Sequence, residues 1–370
     1  MTLRIEYIGA VFDGSGYAEA ARNYICALHR TGVTVCVRPQ SFEQAHPDLG
    51  EQNTFLQSLI SEDPCDLRIV HLTPENFSRV LKDRPKLFTV GYVAWETDLY
   101  PPHWVEAINQ HLDALWVPSS ANVAAAQKSK ITVPVEMVWH CFPDEPPVDG
   151  HLLEPDGYFR FLSVFQWTER KNPMGLLKAY LTEFRPDEKV SLVLKTYIRE
   201  GNLNDKDEIK GVIRGVKDML HMGPKWPRIE LIVKSLSRLE LRRLYQDCDA
   251  FVSLHRCEGF GIPTAEAILA GKPTISTDAG GPHDEWGREC ISRLVPGDET
   301  PVFGMPWPHY TGHMNWVEPD LGGAKRAMRK LTLVPIRSDE AKKMKAQFLE
   351  LCSYERIGAQ MVGLLEGYLR

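Results

Sequence analysis

The sequence lacks three features that would mark particular classes of protein. It has no uninterrupted apolar run long enough to span a bilayer and no C-x-x-C or other metal-type spacing among its eight cysteines. It also lacks an excess of positive charge, because its formal net charge is −6. The chain as a whole therefore has no basic field that would attract nucleic acid. The net charge does not exclude a local basic patch, or peripheral contact with a membrane through such a patch.

What is present is the composition of a globular protein. The 370 residues, with 43% hydrophobic and 25% charged side chains, predict two domains of ordinary size. Residues 3–8 place charges inside an apolar run, which favours a first strand over a signal peptide. Scattered cysteines are typical of a reduced compartment, so we expect a cytoplasmic protein, with attachment to a membrane surface as the alternative.

The most informative stretch runs from Arg256 to Pro273 and reads RCEGFGIPTAEAILAGKP. It follows an apolar, strand-like run at 250–254. Pro263 suits the first turn of a helix and Gly271 suits its end. The stretch therefore predicts a loop followed by a helix whose free N–H groups point at that loop, which is a common binding site for phosphate.

Glycines and carboxylates surround this predicted helix start. Gly259 and Gly261 bracket Phe260, so the backbone there can turn tightly and approach a ligand. Glu258 precedes the glycines and Glu266 is expected in the first helical turn. Either glutamate alone is typical of a surface charge or a dipole-complementing residue. Together they predict a site for an anion or a nucleotide.

The same string, EGFGIPTAEAILAGKP, resembles the E-x7-E motif of the retaining family-4 glycosyltransferases. The resemblance implies an α/β protein of the GT-B fold, with two Rossmann-like domains facing an interdomain cleft. It also implies that Glu258 contacts the sugar hydroxyls of a nucleotide-sugar donor, beside the backbone amides of Phe260 and Gly261. Glu266 would bind the ribose hydroxyls.

Two cations precede a second predicted helix. Arg170 and Lys171 follow a strand-like run at 159–164. This pair can be interpreted either as a clamp on a diphosphate or as plain surface charge. The segment resembles the family's strand-G-R…R-K-[GN] element, whose arginine and lysine hold the donor phosphates. Lys171 matches that element and Arg170 is its neighbour, but the family's first arginine is absent near Phe165 or Gln166.

The N-terminal half begins with a strand, a glycine loop and a helix. Gly14, Ser15 and Gly16 follow the first predicted strand, which is how a doubly wound domain starts. A lone G-x-G usually marks a tight turn. Here it also resembles the N-terminal glycine loop of GT-B enzymes, which implies contact with the donor diphosphate.

A further acidic segment ends another predicted strand. The run LFTVGYV at 87–93 leads into Trp95-Glu96-Thr97-Asp98, at the strand end where open α/β sheets bind ligands. Incidental acids at a helix start are the plain alternative. The segment resembles a WETD-containing branch of the family, and we assign Glu96 a catalytic role although the histidine that other members carry nearby is absent.

The remaining segments suggest domain limits and one loop of interest. The run PDEPPVDGHLLEPDG at 143–157 predicts a linker. We expect an N-terminal acceptor-side domain at 1–145, a nucleotide-sugar-binding domain at 146–345, and a C-terminal helix at 346–370 that crosses back to the first domain. The proline- and aromatic-rich segment at 300–311 is a candidate lid or acceptor contact, and residues 315–320 resemble a W-x-E-P-D element of the same branch.

Asp247-Cys248-Asp249 spells D-x-D, a metal-nucleotide signature in another glycosyltransferase fold. It lies at the end of a predicted helix that enters a strand, so we predict that it binds no metal.

Taken together, the resemblance implies transfer of a hexose, with retention, from a UDP- or GDP-linked sugar to a hydroxyl of a glycan, glycolipid, protein or other acceptor. No metal and no cofactor is expected. Two alternatives remain: a GT-B-like sugar- or nucleotide-binding protein without transfer activity, and a sugar-phosphate synthase or phosphorylase on the same fold. The oligomeric state stays open.

Overall fold

A computed structural model describes residues 2–41, 49–199, 204–334 and 336–370. The chain divides into two compact units. The first comprises Met1–Asp144 together with Leu349–Arg370, and the second comprises Glu145–Phe348. Within the described residues, no helix is both long and apolar enough to cross a membrane.

The first unit is built on a parallel sheet. Its strands are β1 (Arg4–Ala10), β2 (Thr34–Gln40), β3 (Leu67–His71), β4 (Phe88–Tyr92), β5 (Ala114–Val117) and β6 (Val135–Met137). Among the described residues these six strands lie in the order β2-β1-β3-β4-β5-β6, all parallel. The chain reverses its direction across the sheet between β1 and β3, which is the arrangement of a doubly wound domain.

Helices connect these strands. They are α1 (Gly16–Arg30), α2 (Glu51–Ser58), α3 (Phe77–Leu81), α4 (Pro102–His111) and α5 (Ser120–Lys128). The start of α1 is set by Ser15, whose Oγ accepts the backbone N–H of Ala18 at 3.2 Å. One face of α1 is buried at helical spacing through Ala18, Ala21, Ile25 and Leu28, so this face packs into the core.

The second unit repeats this architecture. Its strands are β7 (Phe159–Gln166), β8 (Val190–Tyr197), β9 (Arg228–Ile232), β10 (Ala250–Ser253), β11 (Thr274–Thr277) and β12 (Arg293–Val295). In the part of the chain that the structure describes, they form a six-stranded parallel sheet in the order β12-β11-β10-β7-β8-β9. An antiparallel hairpin follows, made of β13 (Gly297–Pro301) and β14 (Asn315–Pro319).

Both faces of this second sheet are covered. The helices of this unit are α6 (Pro173–Glu183), α7 (Asp205–Leu220), α8 (Arg238–Asp247), α9 (Ile262–Leu269), α10 (Glu285–Cys290), α11 (Leu321–Leu333) and most of α12 (Ser338–Cys352). The last helix, α13 (Tyr354–Tyr368), belongs to the first unit. Phe161 and Leu192 are buried among residues of α6 and α11, whereas Leu162 and Val193 are buried with residues of α8. Alternate residues of each strand therefore serve opposite cores, as a parallel sheet requires.

The C-terminal helix α13 packs against α1 within the first unit. Tyr354 donates its hydroxyl hydrogen to Asn23 Oδ1 at 2.6 Å, and the Arg30 guanidinium lies 4.7 Å from the centre of the Tyr354 ring. The helices approach closely at Gly358, where an added Cβ would lie 2.7 Å from the carbonyl oxygen of Ala27. A larger residue at position 358 would therefore separate the two helices.

We expect Gly358→Ala to destabilise the protein by about 1–3 kcal/mol, because the methyl group has to displace backbone atoms of α1. The measurement is the urea concentration at the midpoint of unfolding, followed by circular dichroism. Gly363→Ala on the same helix is the matched control, since nothing lies within 4 Å of its added Cβ. That control should stabilise by about 0.5–1 kcal/mol. Equal effects of the two substitutions would contradict the close approach.

Candidate functional site

The candidate site lies where the second sheet changes direction. The chain runs from β7 outward to β8 and β9, then returns to β10, which pairs with β7 on its other side. Ligands of open α/β sheets bind at the carboxyl ends of the strands at such a reversal. The segment after β7 contains Arg170 and Lys171 in a single 3-10 turn over Glu169–Lys171, and the segment after β10 contains Glu258.

These two segments are joined by a cluster of charged side chains. Lys171 Nζ donates to Glu258 Oε1, and Arg170 Nη1 donates to Glu258 Oε2 at 3.2 Å. Arg170 Nη1 also donates to the carbonyl oxygen of Cys257 at 3.2 Å, and the backbone N–H of Arg256 donates to the carbonyl oxygen of Arg170 at 2.8 Å. Backbone and side-chain contacts thus hold both predicted cations against the predicted carboxylate.

The cluster keeps Glu258 ionised although the side chain is buried. Burial alone would raise its pKa, but the charges of Lys171 and Arg170 outweigh burial and lower the pKa from 4.5 to about 2. Because the folded-state pKa is depressed, the stabilisation is fully present above the ordinary pKa and is lost as pH falls through about 2. At neutral pH this cluster of Lys171, Arg170 and Glu258 therefore contains two cations and one carboxylate.

The predicted glycine loop is tightly packed. Gly261 caps helix α9 with φ of 100°, a conformation that favours glycine, and Gly259 is buried in the same bend. The Phe260 ring stacks on Trp286 with centroids 4.7 Å apart. A Cβ added to Gly281 would lie 2.2 Å from the carbonyl oxygen of Phe260, so a second glycine segment lies directly against this loop.

The structure corrects the predicted position of Glu266. Helix α9 begins at Ile262, because Gly261 is left-handed and ends the loop there, so Glu266 lies in the second turn and not the first. Its carboxylate accepts from Arg238 Nη1, and the Tyr245 hydroxyl lies 3.0 Å from Glu266 Oε2. Arg238 and Tyr245 both come from α8, so Glu266 and Glu258 contact different sets of partners.

Several polar residues of this site were not singled out from the sequence. Arg256 pairs with Glu169 Oε2 at 3.0 Å and with Glu318, although it stands inside the diagnostic stretch. His255 is buried, with Nδ1 2.9 Å from Ser253 Oγ, and burial lowers its pKa to about 4, so it is neutral at neutral pH. The partners of Arg256 are distant in sequence, so local pattern carries no signal for its ion pairs.

The D-x-D segment has structural partners. Asp247 accepts the backbone N–H groups of Leu152 and Leu153 at 2.6 and 2.9 Å. Asp249 accepts the backbone N–H of Arg160 at 2.8 Å. Both carboxylates therefore satisfy backbone donors, Asp247 those of the segment before β7 and Asp249 one in β7 itself. Among the described residues no group of three or more His, Cys, Asp or Glu is arranged to hold a metal ion.

The predicted residues of the first unit lie near one another. Gly14, Ser15 and Gly16 lead into α1, and the Tyr17 hydroxyl that follows lies 3.0 Å from the carbonyl oxygen and 3.1 Å from the backbone nitrogen of Ala94. Burial first, and the charge of nearby Glu96 second, raise the pKa of Tyr17. The glycine loop and the acidic segment after β4 are thus linked through Tyr17.

Two doubly wound parallel sheets, one with a glycine loop and one with a glycine-flanked helix start, define an α/β protein of the GT-B fold with two Rossmann-like domains. This confirms the fold class expected from the sequence. The sequence of residues 230–288, which includes Glu258 and Glu266, matches the family model described as glycosyl transferases group 1. No curated protein matches the chain in sequence.

Solved structures with this fold include proteins that carry nucleotide sugars. Sucrose-phosphate synthase from Thermosynechococcus elongatus superimposes with a TM-score of 0.70 at 15% identity, over 99% of each chain. Anabaena HepE in complex with UDP-glucose has a TM-score of 0.64 at 14% identity, over 99% of this chain and 100% of that one. An E. coli trehalose-6-phosphate protein bound with UDP-2-fluoro glucose has a TM-score of 0.62 at 11% identity, over 98% of each chain. At these identities the likeness establishes the fold.

We expect the Glu258 carboxylate to stay ionised throughout pH 4–7 in the wild-type protein, and to titrate within that range in Lys171→Met. Removing Lys171 leaves burial, which raises the pKa of Glu258, opposed by Arg170 and to a smaller extent by His255. The measurement is the 13C chemical shift of the side-chain carboxyl in glutamate-labelled protein, assigned with Glu258→Gln. A Glu258 resonance that titrates in the wild-type protein between pH 4 and 7 would contradict the charge cluster.

Proposed function

We propose that the protein is a retaining glycosyltransferase that moves a hexose from a nucleotide-diphosphate sugar to an acceptor hydroxyl. The observation that carries this proposal is the Arg170–Lys171–Glu258 cluster, in which two half-buried cations face a buried carboxylate at the reversal of the second sheet, beside the start of α9. Neighbours in complex with UDP-glucose and UDP-2-fluoro glucose favour a UDP-linked donor, and a GDP-linked donor is the alternative.

In this proposal the donor diphosphate binds Lys171 and Arg170, together with the N–H groups at the start of α9. Within the cluster itself two cations face a single carboxylate, which leaves a local positive charge for a phosphate ligand, while Arg256 is paired separately with Glu169 and Glu318. The leaving diphosphate gains negative charge as the glycosidic bond breaks, so fixed cations stabilise the transition state more than the ground state. When these cations stabilise the leaving diphosphate, transfer of the hexose needs no divalent metal.

The two glutamates orient the rest of the donor. Glu258 accepts hydrogen bonds from sugar hydroxyls, with the amides of Phe260 and Gly261 beside it. Glu266 accepts the ribose hydroxyls, and Arg238 and Tyr245 already hold its carboxylate in place. Fixing the sugar in this way lowers the entropic part of the barrier.

The transfer step balances without a further reactant. The acceptor hydroxyl oxygen forms a bond to the anomeric carbon, on the face from which the diphosphate departs. The electron pair of the broken glycosidic bond stays on the diphosphate oxygen, which takes the proton of the acceptor hydroxyl. The products are a glycoside with retained configuration and a nucleoside diphosphate.

We assign Gly14, Ser15 and Gly16 to donor binding and Glu96 to catalysis, supported by the contact of Tyr17 with the segment that carries Glu96. We propose an acceptor-side domain at 1–145 and a nucleotide-sugar-binding domain at 146–345. The returning segment at 346–370, expected as one helix, contains the end of α12 and the whole of α13, because Ser353 caps a new helix. The scattered cysteines support a cytoplasmic location.

The proposal is tested by screening nucleotide sugars for thermal stabilisation and for release of free nucleotide, in the presence of EDTA. A specific donor at ~100 times its dissociation constant should stabilise the protein by about 2.7 kcal/mol. Binding without any nucleotide release would favour a sugar-binding protein. Consumption of free sugar phosphate as acceptor would favour a sugar-phosphate synthase, and activity that returns only when manganese or magnesium is added would overturn metal independence.

We expect Glu266→Ala to weaken donor binding and Glu258→Ala to lower turnover more than donor affinity. The reason is that Glu266 is assigned to the ribose, whereas Glu258 lies against the cations that meet the leaving group. Isothermal titration with the donor and turnover numbers separate the two effects. Wild-type hydrolysis and transfer in both variants would refute the site assignment.

Lys171→Ala should be more damaging than Arg170→Ala, with turnover falling on the order of a hundredfold, because the family's other cation is absent near Phe165 and Lys171 carries more of the developing charge. Lys171→Arg should restore part of the activity, since a planar fork and a point charge place their donors differently. Lys178→Ala, an exposed lysine on the following helix, is the control. If Arg170→Ala lost most of its turnover while Lys171→Ala stayed near the wild type, the match of this segment to the family's R-K element would be off by one residue.

A further inference from the structure

The loop of the β13–β14 hairpin, residues 302–314, exposes a group of aromatic side chains that the donor site does not use. Phe303 is 82% exposed and Trp307 is 37% exposed. The ring centroids of Trp307 and Tyr310 are 6.2 Å apart, and those of His309 and Tyr310 are 5.5 Å apart. Exposed rings in such a group are a typical feature of a binding surface.

This aromatic loop is held in a defined conformation. The backbone N–H of Val302 donates to Met314 at 2.9 Å, and that of Met314 donates to Thr311 at 3.0 Å. Val302 and Met314 are buried, so the base of the loop is packed, whereas Phe303 and Trp307 are exposed and His309 and Tyr310 are half-buried. A loop fixed in this way loses little entropy when a ligand binds.

The aromatic loop is attached to the elements that carry the donor-site cluster. Gly304 lies so close to the Glu169 side chain that an added Cβ would approach Glu169 Cγ to 2.7 Å, and Glu169 begins the 3-10 turn that carries Lys171. On the β14 side, the backbone N–H of Val317 donates to the carbonyl oxygen of Arg256 at 2.9 Å. The Arg256 guanidinium lies 5.3 Å from the centre of the buried Trp316 ring.

The chemistry of the aromatic loop favours a neutral, hydroxyl-rich ligand. Residues 301–317 include no Lys, Arg, Asp or Glu, so nothing in the sequence of this segment would attract an anionic lipid or a charged peptide. Residues 302–314 also include no leucine or isoleucine. Trp307, His309 and Tyr310 combine a flat apolar face with a polar tip, which suits the apolar C–H face and the peripheral hydroxyls of a sugar ring.

We propose that residues 302–314 form an acceptor subsite within the second unit, additional to the contacts assigned to the acceptor-side domain at 1–145, and that the acceptor is a carbohydrate chain. This inference rests on the proposed function, because an acceptor hydroxyl has to reach the anomeric carbon beside the cations that hold the diphosphate. Gly304 of the loop lies against Glu169 of the turn that carries those cations, so the loop that carries Trp307 and Tyr310 is attached beside the proposed donor site. Phe303 extends the surface for a further sugar unit.

The test uses an array of several hundred immobilised oligosaccharides, probed with the full-length chain in the presence of UDP. The wild-type protein should bind at least one oligosaccharide. Trp307→Ala, Tyr310→Ala and Phe303→Ser should each weaken that binding tenfold or more, whereas Trp307→Tyr, which keeps a ring with a polar tip, should retain most of it. Leu333→Ala removes a 71% exposed apolar side chain outside the loop and should bind like the wild type.

The same variants separate this inference from the proposed function. UDP-glucose affinity by isothermal titration should stay within twofold of the wild type in Phe303→Ser and Trp307→Ala, and their thermal unfolding midpoints should be unchanged. Absence of oligosaccharide binding by the wild type, binding unaffected by all three substitutions, or loop-dependent binding to phosphatidylcholine–phosphatidylglycerol vesicles in place of oligosaccharides would each overturn the acceptor subsite. Failure of every nucleotide sugar to bind would refute the proposed function, independently of the array result.

Discussion

The charge cluster of Lys171, Arg170 and Glu258 is the contact on which the candidate site depends. A buried carboxylate is tolerated because two cations face it, and removal of a partner from such a buried pair typically costs about 3–5 kcal/mol. The cluster joins the segments that follow β7 and β10, which are adjacent strands at the reversal of the sheet. These contacts therefore depend on the strand order, hold the two segments together and set the charge of the site.

Glycine residues allow neighbouring backbone segments to pack closely around this cluster. A Cβ at Gly280 would lie 1.9 Å from the carbonyl oxygen of Glu258, so the loop after β11 can approach the site only as bare backbone. Gly261 ends the loop in a left-handed conformation, and Gly304 allows the aromatic loop to approach Glu169. Close backbone approach at several points builds a site of fixed shape, in which ligand groups meet preorganised partners.

The first unit has the same sheet architecture but different interior chemistry. Its core contains neutral polar groups: the Tyr24 hydroxyl lies 2.6 Å from the Tyr92 hydroxyl and 3.0 Å from His140 Nδ1. Burial lowers the pKa of His140 to about 3, so this histidine is neutral at neutral pH. Hydrogen bonds among uncharged groups organise this region of the first unit, and a separate buried cluster there pairs Glu6 with Arg38 and Arg68.

The sequence by itself determined the α/β class, the strands near 3–8, 87–93, 159–164 and 250–254, and the loop followed by a helix within 256–273, because periodicity and glycine or proline conformations act over a few residues. It also indicated Lys171 and Glu258 as site residues. Tertiary structure alone decided that these two residues, 87 positions apart, meet in one ion pair, and that Glu266 lies in the second turn against Arg238. Such contacts depend on strand order and on where a loop ends, which no local pattern specifies.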